Sequence, residues 1–435
     1  MFNLDPCLVD SQFSELFTRS NQGLKLGLDR MRRFCEAFAY PERHFRSILV
    51  AGTNGKGSVT RMLSSALSAQ GYCVGQYTSP HLIHYSERIV LNNKAIQNKD
   101  ISHYLYQINQ VENKLDEKLS FFEITTLMAF LFFRDKKADI AVLEVGLGGR
   151  LDATNVVDPI LSIITSIGYD HQDILGDTLT LIAREKCGIM RPHKPIVIGY
   201  VPEDAFLEIK RLAEERQSQF ISLQADVQIT HDKQESRLIY AQQSYTHVKP
   251  KLQGPHQRNN ASLCALALLI LNLHCDIICE KPAFFKGLLA HWPGRYQKLQ
   301  WRPSVQVIID GAHNPDGINA LKETLQQDAD FTCTSERILI FGSTNGRDNR
   351  TVFNSLVELF DRVLLVAPIS TKAVDSSIYQ TLYPSAHIKP NVSSAMSDVP
   401  TCACVVITGS LYLAGDALAF FSNTTRDHVF DYRPV

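Results

Sequence analysis

A short glycine-rich loop, lying between a predicted strand and a predicted helix, constrains the fold of this chain more than any other feature. The segment before it, residues 47–50, is apolar and β-branched and predicts a buried strand. Residues 59–70 after it carry apolar side chains at helical spacing. The loop itself consists of Gly52, Thr53, Asn54, Gly55, Lys56, Gly57 and Ser58. This order of elements is the context that a phosphate-binding loop requires.

The residue types in the loop suit a nucleoside triphosphate and a magnesium ion. Glycines allow backbone N–H groups to turn inward, and the start of the following helix presents the positive end of its dipole to an anion. Lys56 can reach the β- and γ-phosphates, and the Ser58 hydroxyl can contact magnesium. Gly57 separates these two residues, so the spacing departs from the standard pattern. An ordinary strand-to-helix turn is the alternative, but three glycines in six residues, with Lys and Ser at the helix start, favour the phosphate loop.

The composition is that of a globular protein with two or three domains. The 435 residues are 45% hydrophobic and 20% charged, and the formal net charge is -1. We therefore expect neither nucleic acid nor a membrane surface as a partner held by bulk charge. The chain starts without a basic, apolar leader, and its longest apolar stretches, residues 127–133 and 264–271, are too short to span a bilayer.

The ten cysteines are scattered, which fits a reduced, cytoplasmic protein. Cys402 and Cys404 lie two positions apart in a predicted strand, so both should lie on one face of it. We interpret them as core residues rather than metal ligands. The expected oligomeric state is a monomer.

Apolar strands alternate with helical patterns along most of the chain, which predicts an α/β fold with a mostly parallel sheet covered on both faces. Residues 1–46 have the spacing of amphipathic helix. Further strands are predicted over 139–145, 160–167 and 195–199, helices over 122–133, 178–190 and 260–273, and short strands over 226–229 and 238–241.

Pro293-Gly294 interrupts both helix and strand, and it is the best candidate for a linker. We therefore divide the chain into a domain over 1–292, a linker over 293–296 and a smaller α/β domain over 297–435. In the second domain, strands are predicted over 305–309, 337–341, 362–367 and 404–408, with helices over 315–325, 350–360 and 411–421.

Polar residues follow several predicted strands at the edge where open α/β sheets bind ligands. Glu144, at the end of a buried strand, is either a magnesium ligand or a helix cap; the glycines after it and the phosphate loop before it favour the metal role. His171 follows Asp170 at another strand end, and its position leaves a metal role and a structural role equally open. Composition alone predicts that Lys186, near the end of a helix, lies on a solvated helix face.

The second domain places a further polar group at the end of its first strand, in residues 310–315. Asn314 and Pro315 begin a helix there, since Asn is a frequent N-cap and Pro a frequent first helical residue. Capping explains Asn314 but leaves Asp310 and His313 together at the sheet edge without a structural explanation. We therefore regard Asp310 and His313 as candidate functional residues.

The motifs of this chain, taken in order, resemble those of the folylpolyglutamate synthase/dihydrofolate synthase family, within the Mur ligase superfamily of ATP-dependent amide-forming ligases. They are residues 52–58, Ser79-Pro80-His81, residues 144–155, Asp170-His171, residues 185–189, Pro293-Gly294-Arg295 and residues 310–315. The likeness extends to Gly409-Ser410 and so covers essentially the whole chain. One departure is Leu411-Tyr412, where a more polar pair is expected.

The resemblance implies a fold and a set of site residues. It implies an N-terminal phosphate-loop ATPase domain, a C-terminal Rossmann-like domain, and ATP and Mg²⁺ as cofactors. Magnesium would be held by Ser58, Ser79, Glu144 and His171; ATP by residues 52–58 with Asn260, Arg295 and Asp310; and the pteroate by Ser120, Phe121, Phe122, Glu123, Leu151, Asp152 and Ala153. Lys186 matches a carbamylated lysine, which reverses the interpretation from composition, and catalytic roles fall to Lys56, Lys186, Asp310 and His313.

The implied reaction joins L-glutamate to dihydropteroate, and to reduced folates, through an acyl phosphate formed from ATP. Two related alternatives remain: a folylpolyglutamate synthase alone, or another Mur-type amide ligase. Against the latter, residues 1–51 are too few for an extra nucleotide-sugar domain plus a first strand. A nucleotide-dependent switch without chemistry is a third alternative, but it would not need Asp310 and His313.

Overall fold

Two twisted, mainly parallel sheets carry the functional residues, one in each half of the chain. In this computed structural model, the described residues are 16–17, 19, 27–231, 235–345 and 349–427. Of the helical pattern predicted over residues 1–46, residues 1–15, 18 and 20–26 lie outside the described residues. The strands of the first half are β1 (Arg46–Ala51), β2 (Val74–Tyr77), β3 (Ile89–Leu91), β4 (Lys94–Ala95), β5 (Ile140–Glu144), β6 (Leu161–Ile164), β7 (Pro195–Ile198), β8 (Gln219–Ser222), β9 (Gln228–His231), β10 (Ser236–Tyr240) and β11 (Gln243–Val248).

The first sheet has the strand order β4-β3-β2-β5-β1-β6-β7-β8. Strands β2, β5, β1, β6, β7 and β8 run parallel, while β3 and β4 form an antiparallel edge. The register pairs Val50 of β1 with Glu144 of β5. Glu144 therefore lies at the same sheet edge as the loop that follows β1, as the ligand-binding edge of an open parallel sheet requires.

Helices cover both faces of this sheet. They are α1 (Asp29–Ala37), α2 (Lys56–Gln70), α3 (Asn98–Leu115), α4 (Phe121–Asp135), α5 (Gln172–Leu175), α6 (Leu179–Lys186), α7 (Glu203–Glu215), α8 (Pro255–His274) and α9 (Lys281–Leu288). Successive residues of β1 alternate between two cores, because side chains of a strand point to opposite faces. Leu49 packs in the core with α4, and Ile48 and Val50 pack in the core with α2 and α8.

The second half forms a sheet in the order β12-β13-β17-β14-β15-β16, with β12 antiparallel at the edge. Its strands are β12 (Gln297–Arg302), β13 (Val305–Ile309), β14 (Arg337–Phe341), β15 (Arg362–Val366), β16 (His387–Lys389) and β17 (Ala403–Thr408). Its helices are α10 (Pro315–Gln326), α11 (Ala329–Thr332), α12 (Asn349–Val357), α13 (Ser377–Leu382), α14 (Val392–Ser397) and α15 (Leu411–Ser422). The predicted α/β class, with a mostly parallel sheet in each half, is confirmed.

Several local predictions need correction. The helix predicted over 178–190 ends at Lys186 and continues only as a 3-10 turn, Cys187–Ile189. The predicted short strands shift to β9 and β10, and β11 was missed; the three form a separate antiparallel sheet. Cys402 precedes β17 and is exposed while Cys404 is buried, so the two do not share a core face.

Candidate active site

The loop predicted to bind phosphate joins β1 to α2 as expected. Gly55 is the N-cap of α2 and has a φ of +86°, in the left-handed region that favours glycine. A Cβ at this position would lie 2.6 Å from the Asn260 Oδ1 atom. Gly55 therefore permits both the turn and the close approach of α8, which places Asn260 against the loop.

Hydrogen bonds from the end of β6 fix the backbone of the loop. The Thr53 N–H donates to the Ser166 carbonyl at 2.8 Å, and the Asn54 N–H donates to the Ser166 hydroxyl at 2.9 Å. The Thr165 hydroxyl donates to the Asn54 carbonyl at 2.5 Å. The protein's own hydrogen bonds thus hold the loop in shape, which lowers the ordering cost of ligand binding.

Two lysines converge on the same loop carbonyl. Lys56 Nζ donates to the Gly52 and Thr53 carbonyls, at 3.0 Å each, and Lys186 Nζ donates to the Gly52 carbonyl at 2.9 Å. Burial lowers the pKa of Lys56, partly offset by the negative charges of Glu144 and Asp170. Burial and the Lys56 charge lower the pKa of Lys186 to about 7. Lys186 is only 4% exposed, so it is not the solvated lysine that composition alone suggested.

Glu144 and Ser79 line the same cavity as the loop and are hydrogen-bonded to each other. The Ser79 N–H donates to Glu144 Oε2 at 3.1 Å, and the Glu144 side chain is buried. Burial raises the pKa of Glu144 to about 6, and Lys56, the Ser79 N–H and Arg295 act in the opposite direction by favouring the charged form.

The donor atoms here suit magnesium rather than a transition metal. Within the described part of the chain, no group of three or more His, Cys, Asp and Glu side chains could hold a metal ion. The predicted set offers one carboxylate, Glu144, with the hydroxyls of Ser58 and Ser79 and the His171 ring, all lining one cavity. Mg²⁺ is usually held by one or two carboxylates, with water and phosphate oxygens completing its shell. These residues therefore fit the ion, although its position stays a prediction.

Asp170 and the end of β13 meet across the two halves of the chain. The Asn314 side-chain amide donates to Asp170 Oδ2 at 3.2 Å, and His313 Nε2 lies 3.6 Å from the same oxygen. His313 Nδ1 lies 2.7 Å from the Gly311 carbonyl. His171 adopts a φ of +51° beside Asp170, and its ring lines the cavity.

Asp310 holds the end of the predicted linker in place. Its carboxylate accepts hydrogen bonds from the Tyr296 N–H at 2.7 Å and from the Ala312 N–H at 2.8 Å. Burial lowers the pKa of the neighbouring Arg295, and the carboxylates of Asp310 and Glu144 act in the opposite direction. Arg295 thus brings a positive charge from the predicted linker to the cavity that Lys56 also lines.

These side chains surround a cavity of about 460 Å³, a volume typical of small-molecule sites. Its lining includes the predicted residues Gly52, Thr53, Asn54, Gly55, Lys56, Gly57, Ser58, Ser79, Glu144, His171, Lys186, Asn260, Arg295, Asp310 and His313. Leu411 and Tyr412 also line it, at the start of α15, where the Ser410 hydroxyl accepts from the Leu413 N–H at 3.0 Å.

Sequence reasoning missed other residues of the lining, among them Tyr200, His256, Gln257 and Asp316. His256 lies at the start of α8, and burial lowers its pKa. The Gly254-Pro255 pair signals a helix start at this point of the sequence. No local signal indicates that this helix start faces the second half of the chain.

The residues predicted to contact a pteroate do not line this cavity. Ser120 is the N-cap of α4. The Arg30 Nε and Nη2 atoms each donate a 2.9 Å hydrogen bond to the Glu123 carboxylate. Phe121 and Ala153 are buried in the first core and Leu151 is half-buried.

Two of these residues nonetheless support the edge of the cavity. Phe122 packs against Gly146, and Asp152 Oδ2 accepts from the Leu147 N–H at 2.9 Å. Gly146 and Leu147 line the cavity, so both segments lie directly behind its wall. Their part in pteroate binding stays a prediction.

Among the described helices, none is long and apolar enough to cross a membrane. Comparisons with known families match both halves of the chain. The family model of the Mur ligase middle domain matches residues 50–268, and that of the dihydrofolate synthetase C-terminal domain matches residues 295–420.

Relatives match over nearly their whole length. The dihydrofolate synthase/folylpolyglutamate synthase of Bacillus subtilis is 33% identical, over 91% of this chain and 94% of that protein. The folylpolyglutamate synthase of Lacticaseibacillus casei is 31% identical, over 88% and 92% respectively. The structure of E. coli FolC in complex with DHPP and ADP superposes with a TM-score of 0.86 at 27% identity, covering 95% of this chain and 98% of that one.

A second solved structure contains both a nucleotide analogue and a metal ion. It is the bifunctional folylpolyglutamate synthase/dihydrofolate synthase of Yersinia pestis with AMPPNP and a Mn ion, at 28% identity and a TM-score of 0.84, covering 95% of this chain and 98% of that one. With both family models matched in chain order and a relative 33% identical over 91% of this chain, the chain belongs to the dihydrofolate synthase/folylpolyglutamate synthase family of Mur-type ligases.

Proposed function

We propose that this chain is an ATP-dependent ligase that joins L-glutamate to 7,8-dihydropteroate and to tetrahydrofolyl-polyglutamates. One observation carries the proposal: a single cavity gathers Lys56 and Glu144 from the first half, Arg295 from the linker, and Asp310 and His313 from the second half. A nucleotide switch would need only the first two. The B. subtilis relative bears both activities in its name, which supports the bifunctional form.

The reaction has two displacement steps. A carboxylate oxygen of the pteroate or folate attacks the γ-phosphorus of ATP, so ADP leaves and an acyl phosphate forms. The amine of glutamate then attacks the acyl carbon, phosphate leaves, and the amide bond forms with loss of a proton from nitrogen. Without this activation, joining a carboxylate to an amine in water is unfavourable.

Lys56 and Arg295 supply the positive charge that a transferring phosphoryl group requires. Their fixed positions around one cavity would stabilise the charge that develops in the transition state. Magnesium, when bound by Glu144 and its neighbours, adds a divalent charge beside the phosphates. Gly55, at the start of α2, would present its backbone N–H to the phosphates, while Asn260 approaches the loop from α8. Gly52 and Thr53 shape the loop, since their carbonyls accept from Lys56.

We further propose that Lys186 is carbamylated on Nζ. A pKa of about 7 leaves much of the amine neutral at neutral pH, and the neutral amine is the form that attacks carbon dioxide. The carbamate replaces a positive charge by a negative one beside Lys56. It then provides two oxygens for a metal ion or for charge-assisted hydrogen bonds.

The two halves of the chain would act as domains, 1–292 and 297–435, around the linker 293–296. Closure of the cleft would keep the acyl phosphate from water. His313, held between the Gly311 carbonyl and Asp170, would contribute from the second domain. We place the protein in the cytoplasm as a monomer, and size-exclusion chromatography with light scattering tests the latter.

ADP release from purified protein with ATP, magnesium and glutamate tests the proposal. We expect release with dihydropteroate and, separately, with tetrahydrofolate. Activity with tetrahydrofolate alone would favour the related function that the L. casei relative's name states, folylpolyglutamate synthase. An absence of release with every pteroate and folate would leave another Mur-type ligase or a nucleotide switch.

A further inference from the structure

The loop that carries Ser79 is held by contacts from both halves of the chain. We call residues 79–87 the Ser79 loop. At its start, the Ser79 N–H donates to Glu144 Oε2 in the cavity. At its end, the Glu87 carboxylate accepts from the N–H groups of Leu82, Ile83 and His84, at 2.8, 2.9 and 2.7 Å. Hydrogen bonds within the loop therefore hold residues 82–84 against Glu87.

The middle of the Ser79 loop is inserted into the second half. Leu82 is buried in the core between the second sheet and α15, where its neighbours include Ala414 and Leu418. A Cβ at Gly415 of α15 would lie 2.3 Å from the Leu82 carbonyl oxygen. Leu82 is therefore held by the second half as well as by Glu87.

The segment after α15 returns to the same loop. The Arg426 Nε donates to the Leu82 carbonyl at 2.6 Å, and its Nη1 donates to Asp416 Oδ1 at 2.6 Å and to the Tyr412 carbonyl at 2.8 Å. The side chains of Arg426 and Asp416 are 6% and 7% exposed. A buried, hydrogen-bonded ion pair of this kind fixes geometry, since either partner alone would leave an uncompensated charge.

Asp427 adds a second attachment beside the first. Its N–H donates to the Ile83 carbonyl at 2.8 Å, and its carboxylate accepts from the Tyr85 N–H at 2.7 Å. The His84 ring lies 3.6 Å from the other carboxylate oxygen. Together, residues 426–427 attach to loop positions 82–85, and they lie beyond the range, 295–420, that the family model matches.

We propose that Arg426 and Asp427 are positioning residues for the metal and phosphate site, acting through the Ser79 loop. Only Pro80 and His81 separate Ser79, on Glu144, from Leu82, which the second half holds. The distance between Ser79 and Glu144 therefore depends on the attachment of the loop to α15 and to residues 426–427. This inference rests on the proposed function only in taking Ser79 and Glu144 as magnesium ligands.

Hydrogen exchange and metal binding test the inference on the full chain without turnover. The variants are Arg426→Ala and Asp427→Ala, and the control is Arg337→Ala, which removes a surface pair with Asp361 in the same half. We expect faster amide exchange across residues 79–87 in the two variants and not in the control. We also expect Mn²⁺ titrated with a non-hydrolysable ATP analogue to bind about 10-fold more weakly, as when a supporting partner of a metal ligand is lost.

Steady-state kinetics then separate positioning from general damage. We expect the apparent constant for Mg²⁺ to rise by about the same factor, the KM for glutamate to stay unchanged, and excess Mg²⁺ to restore most of kcat. Arg426→Lys keeps the charge opposite Asp416 and should fall between wild type and Arg426→Ala. If Arg426→Ala does not fold, Asp427→Ala carries the test, because it leaves the buried pair intact.

Two results would overturn the inference: unchanged exchange over residues 79–87, or faster exchange with unchanged Mn²⁺ affinity and Mg²⁺ constant, which would make the contacts structural only. A failure of the proposed function is recognised separately. In that case wild-type protein releases no ADP with any pteroate or folate, while the exchange and Mn²⁺ measurements still decide the role of Arg426 and Asp427.

Discussion

The side-chain amides of Asn54 and Asn314 donate a hydrogen bond to each other, at 3.1 Å in both directions, across 260 positions of sequence. This pair joins the phosphate loop of the first half to the start of α10 in the second. Asn314 also caps α10, because its Oδ1 accepts from the Gly317 N–H at 2.9 Å. One side chain thus caps the start of a helix and bridges the two halves of the chain.

The two roles of Asn314 can be separated by substitution. Asn314→Ser keeps a capping oxygen but cannot bridge, so we expect nearly wild-type stability with a raised KM for ATP. Asn314→Ala loses both and should also lose about 1 kcal/mol of stability. Asn391→Ala, which removes the cap of α14 away from the cleft, is the control. Urea unfolding with ATP-dependent kinetics measures both; an unchanged KM in Asn314→Ser would contradict the bridging role.

Lys56→Ala should fold normally but lose about 10²- to 10³-fold in kcat, the usual cost of removing one contact to developing charge. The reason is that Lys56, whose Nζ donates to the Gly52 and Thr53 carbonyls, is the cation of the loop that we propose for the phosphates. Lys210→Ala, an exposed lysine of α7, serves as control. Single-turnover ADP formation is the measurement, and wild-type rates in Lys56→Ala would exclude a phosphate role.

Carbamylation of Lys186 should depend on pH and on carbon dioxide. Because its pKa is lowered to about 7, the neutral amine dominates above pH 7 and carbamate formation should rise between pH 6 and 8. A ¹³C carbamate signal from labelled bicarbonate would detect it directly, and Lys186→Ala should lack the signal and most activity. Full activity in carbon-dioxide-free buffer, with no such signal, would refute carbamylation.

Protonation of Glu144 should weaken magnesium binding as the pH falls through about 6, the pKa of this group. In the absence of metal, the free energy of unfolding changes with pH in the opposite direction. Between pH 4.5 and 6 the folded protein keeps a proton on Glu144 that the unfolded chain has lost, so this contribution to stability is lost as the pH rises through 6. Mn²⁺ affinity across pH 5–8 checks the first statement. Glu144→Gln should remove this pH dependence of Mn²⁺ affinity. Glu203→Gln, which changes an exposed residue of α7, should keep it.

The Arg30–Glu123 pair should support the predicted pteroate segment. Arg30→Met leaves the Glu123 carboxylate buried without its main partner, so we expect a loss of about 2 kcal/mol, between the values for exposed and fully buried pairs. The KM for dihydropteroate should rise more than that for ATP. Arg32→Met removes an exposed pair on the same helix and is the control; equal effects of the two substitutions would argue against the prediction.

Much of the fold was predictable because it depends on neighbouring residues. The phosphate loop, the strand ending at Glu144 and the helix beginning after Asn314 follow from apolar periodicity, glycines and capping residues within a few positions. The family motifs then indicated Lys186, which composition alone placed on a solvated surface. Strands β2, β3, β4, β8 and β16 were missed because they have only two to four residues, and β12 was missed because its side chains are partly exposed, so periodicity gives little signal.

Tertiary structure decided the contacts between distant residues. The Asn54–Asn314 bridge, the Arg30–Glu123 pair and the attachment of Arg426 to Leu82 join residues 260, 93 and 344 positions apart. No local pattern encodes such contacts, because they exist only once two sheets and their helices have packed. The sequence by itself therefore determined which chemical groups the chain carries and at which strand ends they lie, and its family motifs implied that Lys56, Glu144, Arg295 and Asp310 serve one site. Packing alone decided which side chains contact each other there, because those contacts join residues far apart in the sequence.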